Sequence, residues 1–324
     1  MTVCLAISDQ SIADAAALLQ VGKLVAFPTE TVYGLGADAT DAAAVARIFA
    51  AKQRPAFNPL ISHIATAEAA FALGQKTPIA AALAAAFWPG PLTLILTRHA
   101  ECPVAMLTTA GLDRLAVRVP AHDGAQRLLR AFAKPIAAPS ANPSGQISPS
   151  RAEHVVKGLD GRVNLVLDGG PCENGLESTI VDCTGPGARL LRPGGITRDA
   201  LAAALATAGC NPEIDTANPL DDGEKPVAPG QLTSHYAPRS SVRLMAKTQE
   251  ANEELIGFGS VKGAGKLNLN LSPSGNLIEA AANLFSMLHA ADAIHAKTIA
   301  IAPIPADGLG EAINDRLRRA AAPR

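Results

Sequence analysis

Two α/β units joined by a proline-rich connector are the architecture this sequence predicts, and three observations carry it. Short apolar runs of strand length alternate with stretches of helical periodicity along nearly the whole chain. Polar and glycine-rich clusters sit just past the ends of several runs, where open α/β sheets place their ligands. Between Gly209 and Arg239 the periodicity lapses while Pro212, Pro219, Pro226, Pro229 and Pro238 accumulate. The expected division is a first unit at 1–208, a connector or lid at 209–239 and a smaller α/β unit at 240–324. With 324 residues, 48% hydrophobic and only 18% charged, the chain has material for two cores.

Val3 to Ile7 reads as a strand, and Ser11 to Val21 as a helix with Ile12, Ala16 and Leu19 on one face and Gly22 as its stop. Leu24 to Phe27 is a buried strand that Pro28 ends, because proline donates no ladder hydrogen bond. Thr29, Glu30 and Thr31 follow at the strand end, and Gly34 and Gly36 permit a close backbone approach. Gly34-x-Gly36-x-x-Ala39 has the outline of a dinucleotide fingerprint, yet the acidic residue that motif expects about 20 positions on is replaced by Lys52, Gln53, Arg54 and Pro55. A glycine turn leading to a solvated basic helix end is the competing reading. Asp41 caps a helix with Val45, Ile48 and Phe49 as its apolar stripe and Lys52 and Arg54 at its end. Asn58, Pro59 and a second apolar strand, Leu60 to Ile64 with His63 inside it, complete a stretch with hydroxyls at one end and two cations at the other, suited to an anionic, polar substrate.

Helices at 66–73 and 77–87 lead through Trp88-Pro89-Gly90-Pro91 into a strand, Leu92 to Thr97, with Trp88 as a packing residue. The strand Leu115 to Pro120 places Arg118 among apolar neighbours. A buried guanidinium needs an anion there, either a protein carboxylate or a ligand. After a helix at 122–132, Ile136 to Asn142 reads as a strand whose small residues, followed by Ser140 and Asn142, leave room for a flat or phosphorylated ligand. Ser148 either caps the next helix or offers its hydroxyl to a phosphate. Strands at 164–168, 177–182 and 188–192 and a helix at 197–208 close the first unit. Beyond the connector, strands at 241–245, 255–258, 267–271 and 298–302 alternate with helices at 277–290 and 309–322, a small parallel-sheet unit. Gly263-Ala264-Gly265-Lys266 is not a P-loop, since Ser260 stands where the first glycine belongs and Leu267 where the hydroxyl belongs.

Composition excludes several classes. The net charge is −1 and aromatics make up 3%, so nucleic acid is not the partner of a global field or a stacking surface. The five cysteines are scattered without Cys-x-x-Cys spacing and read as packing residues in a reducing compartment, with no zinc site implied. The start MTVCLAISDQ is unlike an export signal, and the alanine-rich run ending at Trp88 is too short to span a bilayer, so a cytoplasmic, non-membrane protein is expected.

Taken together, Pro28-Thr29-Glu30-Thr31-Val32-Tyr33-Gly34-Leu35-Gly36, Lys52-x-Arg54, Asn58-Pro59-Leu60 with His63, Ala116-Val117-Arg118, Pro139-Ser140-Ala141-Asn142, Glu177-Ser178-Thr179 and Leu191-Arg192-Pro193-Gly194 closely resemble the YrdC-type threonylcarbamoyl-AMP synthases. The Ser234-His235-Tyr236-Ala237-Pro238 connector end and the Gly308 to Arg316 stretch resemble the long, two-domain form. The resemblance implies a YrdC-like twisted mixed sheet with a cationic cleft and a smaller Rossmann-like second domain. It implies condensation of L-threonine, bicarbonate and ATP, with Mg2+ bridging the phosphates, to threonylcarbamoyl-AMP and pyrophosphate. Downstream threonylcarbamoyl-transferase proteins would then modify the tRNA adenosine beside the anticodon. By the same resemblance Lys52 and Arg54 are catalytic. Thr31, His63, Arg118, Ala138 and Ser178 hold threonine, with Arg118 on its carboxylate, and Arg54, Asn58, Ser140, Asn142, Ser148, Arg192 and Tyr236 hold ATP. Arg114 is placed with the ATP set, although the family pattern has threonine there. The competing reading is a double-stranded RNA-binding or RNP-maturation module that uses the Lys52/Arg54 cleft for a phosphate backbone, with direct tRNA contact and no nucleotide chemistry.

Overall fold

The computed structural model describes residues 1–216, 226–231 and 234–323. The first unit runs β1 (Val3–Ala6), α1 (Asp9–Gln20), β2 (Val25–Phe27), β3 (Gly34–Asp38), α2 (Ala42–Lys52), β4 (Ile61–His63), α3 (Ala67–Phe71), α4 (Pro78–Phe87) and β5 (Leu92–Thr97). It continues through β6 (Arg114–Arg118), α5 (Asp123–Phe132), β7 (Ile136–Ala137), α6 (Ala152–Leu159), β8 (Leu165–Asp168), β9 (Thr179–Asp182), β10 (Ala188–Arg192), α7 (Arg198–Thr207) and β11 (Ile214–Thr216). The second unit holds β12 (Ser241–Arg243), β13 (Glu253–Ile256), α8 (Leu277–Ala293), β14 (Thr298–Ile301) and α9 (Leu309–Ala321).

Strands β1 to β11 form one mixed sheet in the order β1-β8-β2-β3-β7-β4-β6-β5-β9-β10-β11, and β12, β14 and β13 form a parallel sheet in that order. The helix starts follow local chemistry: the side chains of Asp41, Thr77 and Thr197 each accept a backbone N–H of the first turn. Register then decides which side chains meet. Parallel pairing of β4 with β6 sets His63 beside Arg118, and antiparallel pairing of β9 with β10 sets Arg192 beside Ile180. His63, Arg118 and Arg192, far apart in sequence, are thereby brought to the same end of the strands.

The structure corrects several expectations. Gly34–Asp38, read as a glycine turn, is a strand antiparallel to β2, because the two glycines let Phe27 and Ile136 close over it. Only Ile136 and Ala137 of the stretch to Asn142 are in the sheet; Pro139 interrupts the ladder and Ser140 makes a single bridge to Gly34. Ile214–Thr216, assigned to the connector, adds an edge strand parallel to β10. The 267–271 stretch is no strand: it follows a loop in which Lys266 and Leu267 donate backbone N–H groups to the Glu254 carboxylate, 2.8 Å each. The same bonds occupy the amides that a phosphate-binding loop would offer. Pro219, the acidic group Asp221, Asp222 and Glu224, and Leu232 and Thr233 lie outside the described residues.

The two units share a core. Val32, Ile147 and Leu176 of the first unit and Tyr236 of the connector cluster with Phe285, Leu284 and Leu288 of α8 and with Ile313 of α9. Gly175 lies against the α8 backbone, where a Cβ would come within 2.4 Å of the Ala281 carbonyl oxygen. His289 on α8 bonds the Ser148 carbonyl at 3.1 Å and stacks on His154 of α6, with ring centroids 3.9 Å apart.

Gly36 tests the packing of the central strands. A Cβ there would stand 2.9 Å from both Ile136 Cγ2 and Phe27 Cε1, so Gly36→Ala should destabilise the protein by about 1–3 kcal/mol through overpacking. Urea unfolding checks this, and an unchanged midpoint would show that β2 and β7 part freely.

Candidate active site

One cavity lies where the ends of β2, β4, β6, β9 and β10 meet the connector. Thr29, Thr31, Arg54, His63, Arg118, Ala138, Ser140, Glu177, Ser178, Arg192, His235 and Tyr236 line it, along with Val32, Gly34, Ile61, Pro139, Pro229 and Gly230. Its free volume is about 50 Å³. That is room for a water or two, against about 300–1,000 Å³ for a site holding a small organic ligand. Pro229, Gly230, His235 and Tyr236 all come from the connector, whose described residues thus supply part of the cavity wall.

The cations are held in distinct ways. Arg54 donates Nη2 to Asn58 Oδ1 at 2.6 Å and to the Pro59 carbonyl at 3.0 Å, and burial lowers its pKa to about 10. Arg192 bonds the Ser178 carbonyl through Nε and Nη2, 3.1 and 2.9 Å, and the Pro229 carbonyl through Nη1 at 3.2 Å. Lys52 donates Nζ to the carbonyls of Ser140 and Asn142. Burial, with Arg54 beside it, holds Lys52 well below the usual lysine range. Among the described residues none of these three forms an ion pair with a carboxylate.

Arg118 does have one. Its Nη2 lies 2.7 Å from Glu30 Oε1, and Nη1 donates to Thr31 Oγ1 at 2.9 Å. The charge contact is close but poorly aligned, so neither Glu30 oxygen nor Arg118 Nη2 completes a hydrogen bond. Arg118 is therefore not a free cation: of the two anions that the sequence reading left open, a protein carboxylate or a ligand, the structure supplies the first, Glu30, from three residues past β2. Burial, then the Arg118 charge, push His63 down to about 3, which keeps its imidazole neutral.

Of the residues singled out from sequence, Thr31, Arg54, His63, Arg118, Ala138, Ser140, Ser178, Arg192 and Tyr236 share the cavity. Lys52, Asn58, Asn142 and Ser148 stand behind its wall. Lys52 ties down the 140–142 loop, Asn58 holds Arg54, and Asn142 Nδ2 bonds the carbonyls of Pro143 and Gln146. Ser148 caps no helix: its hydroxyl donates to Glu177 Oε1 at 2.5 Å, while α6 starts without a side-chain cap. Arg114 is not brought to the cavity. It begins β6, four residues before Arg118, and pairs with Asp182 at 3.3 Å and Asp113 at 3.7 Å.

Glu177 and His235 line the cavity without having been assigned a role from sequence, although both stand within the motifs that carry the family resemblance. Tyr236 takes a left-handed backbone conformation, φ 62°, and its buried hydroxyl finds no partner. His63 Nδ1 and His235 Nδ1 are likewise buried and unpartnered. Unsatisfied polar atoms gathered at one cavity are the pattern of a ligand site. Divalent metal does not fit the protein side of this site: among the described residues no three His, Cys, Asp or Glu side chains cluster to hold an ion, and Glu177 is already bonded to Ser148 and Arg316. No helix among the described residues is long and apolar enough to cross a membrane.

Comparison with known proteins gives this geometry a context. The Sua5/yciO/yrdC family, described as telomere recombination, matches residues 17–194, and "threonylcarbamoyl-AMP synthase, C-terminal domain" matches residues 196–322. The threonylcarbamoyl-AMP synthase of Pyrococcus abyssi is 40% identical over 97% of this chain and 95% of its own. That of Bacillus subtilis is 40% identical over 99% and 95%. The crystal structure of P. abyssi Sua5 complexed with L-threonine superposes with a TM-score of 0.87 at 38% identity, covering 99% of this chain and 97% of that one. Escherichia coli YciO shares the fold of the first unit, with a TM-score of 0.55 at 24% identity over 60% of this chain.

The neutral His63 predicts an acid-sensitive fold. Between the ordinary value of 6.5 and about 3 the unfolded chain holds a proton that the folded one refuses. The stability that neutral His63 confers is complete above that window and falls as pH drops through it, by roughly 1.4 kcal/mol per pH unit. His63→Gln should flatten the decline in urea stability between pH 6 and 4 by about that slope. An unchanged slope would mean that His63 protonates in place.

Proposed function

The chain belongs to the Sua5/YrdC family of threonylcarbamoyl-AMP synthases, and from that premise we propose that its cavity gathers ATP, L-threonine and bicarbonate and joins them by nucleotidyl transfer. The observation that carries this reading is the surplus of buried positive charge: Arg54 and Arg192 line the cavity and Lys52 braces its wall, all anchored to carbonyls and amides and none to a carboxylate among the described residues. A polyphosphate supplies the missing anion, and planar guanidinium groups suit its oxygens. The P. abyssi relative crystallised with L-threonine supports the amino-acid half of the reading.

The proposed chemistry needs no protein nucleophile. Threonine's amine adds to the carbon of bicarbonate and expels water to form a carbamate. A carbamate oxygen then attacks the α-phosphorus of ATP, and pyrophosphate leaves in line. Arg54 and Arg192 neutralise charge on the phosphates as the bond to the leaving group lengthens. Arg118 faces the threonine carboxylate, with Glu30 holding the guanidinium in place. Thr31 and Ser178 offer hydroxyls, and neutral His63 offers a ring nitrogen without adding a further charge. The connector must withdraw to admit ATP, and its return excludes water from a carbamate and a mixed anhydride that both hydrolyse readily. Mg2+ would arrive with the ATP phosphates and water as its ligands, and none of these steps runs through it. The product passes to proteins that modify tRNA.

The RNA-binding alternative is set aside, because the match to the synthases spans nearly the full chain and the cations are buried rather than displayed on a surface.

Purified protein should release pyrophosphate only when threonine and bicarbonate are both present. Release that ignores threonine would refute the proposal. Arg118→Lys keeps the charge beside Glu30 but loses the planar fork, so the threonine KM should rise roughly 10- to 100-fold while the ATP KM moves little. Equal threonine constants would mean that another residue takes the carboxylate.

A further inference from the structure

Helix α9 of the second unit buries an arginine against the first. Arg316 is 1% exposed, and a guanidinium at that depth is costly unless its donors are used. They are: Nε donates to Glu177 Oε2 at 2.7 Å, Nη2 to the Pro193 carbonyl at 3.0 Å, and Nη1 to Asp315 at 2.6 Å. The two contacts in the first unit are informative. Glu177 precedes Ser178 and Pro193 follows Arg192, and both Ser178 and Arg192 line the cavity and bond each other through Arg192 Nη2 and Ser178 Oγ at 3.1 Å. The loops themselves touch, since a Cβ on Gly194 would come within 2.4 Å of Glu177 O and Thr179 N. Glu177 passes the contact on to Ser148, and the Arg316 guanidinium carbon stands 5.1 Å from the centre of the Tyr236 ring.

We propose that Arg316 is a positioning residue for the synthase cavity, through which the second unit sets the Glu177–Ser178 and Arg192–Pro193 loops and seats the closing Tyr236. The inference rests on the synthase reading and assigns the second unit a share in nucleotide binding rather than a role as a mere appendage. Asp315 neutralises part of the charge within α9, while Glu177 is the arm that reaches the cavity wall. Another contact between the units serves as its comparison: Glu311, also on α9, pairs with Arg198 on α7 at 2.8 Å and touches none of these loops.

The test measures ATP affinity by titration calorimetry, together with kcat and KM for threonine-dependent pyrophosphate release, in the full-length protein. Arg316→Lys and Glu177→Gln should each weaken ATP binding and raise its KM roughly 10- to 100-fold, with a smaller change in kcat. Glu311→Gln should leave both at wild-type values. Because Arg316 acts through Glu177, the pair Arg316→Met with Glu177→Gln should lose less than the product of the single losses. Should Arg316→Met fail to fold alone, Arg316→Lys and Glu177→Gln decide. Wild-type ATP affinity in Arg316→Lys, or an equal loss in Glu311→Gln, overturns the inference. Absence of threonine-dependent turnover in the wild type instead overturns the synthase reading, and the calorimetric comparison still judges Arg316.

Discussion

Burying guanidinium and ammonium groups with few carboxylates to meet them is the constraint around which this structure is arranged. Lys52, Arg54, Arg118, Arg192 and Arg316 are all buried, and the buried carboxylates near them are Glu30, Glu177 and Asp315. An isolated buried cation costs several kcal/mol, so each that lacks a carboxylate is tied to main-chain carbonyls. Those carbonyls belong to the loops that wall the cavity: Ser140 and Asn142 for Lys52, Pro59 for Arg54, Ser178 and Pro229 for Arg192. The same bonds that make burial tolerable therefore fix the shape of the site.

This arrangement leaves a positive potential at the cavity and several polar atoms unanswered. The Tyr236 hydroxyl, His63 Nδ1 and His235 Nδ1 are buried without partners, a cost that a closed chain would not bear for its own stability. The proposed ligands, a small polyanion with an amino acid beside it, would answer both features. The low free volume reflects connector residues, Pro229, Gly230, His235 and Tyr236, lying against the cavity wall. The shared core of the two units anchors that segment, with the Tyr236 and Phe285 ring centroids 5.8 Å apart.

Motifs made of consecutive residues were legible, while placement across the chain was less so. The Asp41 cap and the strands around His63 and Arg118 follow from local chemistry and match the structure, whereas the helix read as running to Arg54 stops at Lys52, where Gln53 turns left-handed. The strand at Gly34–Asp38 was not legible, because glycine carries no apolar signal and the strand exists only through what packs on it. Ser148 could be read as a cap or a phosphate ligand, yet it bonds Glu177, 29 positions away. Arg114 and Arg118 stand four positions apart on one strand, which is enough extended chain to pair Arg114 with Asp182 and leave only Arg118 at the cavity.

Sequence alone determined the α/β class and the need of Arg118 for an anion, since both are written in residue type and local spacing, while the family resemblance pointed to nine residues that the structure gathers at one cavity. Tertiary structure decided that Glu30 meets Arg118, that Lys52 and Asn142 brace the cavity from behind, and that α9 reaches Glu177 through Arg316. The physical reason is the reach of the forces involved. Propensity and capping act over a few residues, whereas the partner of a buried charge is set by strand register and by which loops the sheet brings together, over separations of up to 139 residues.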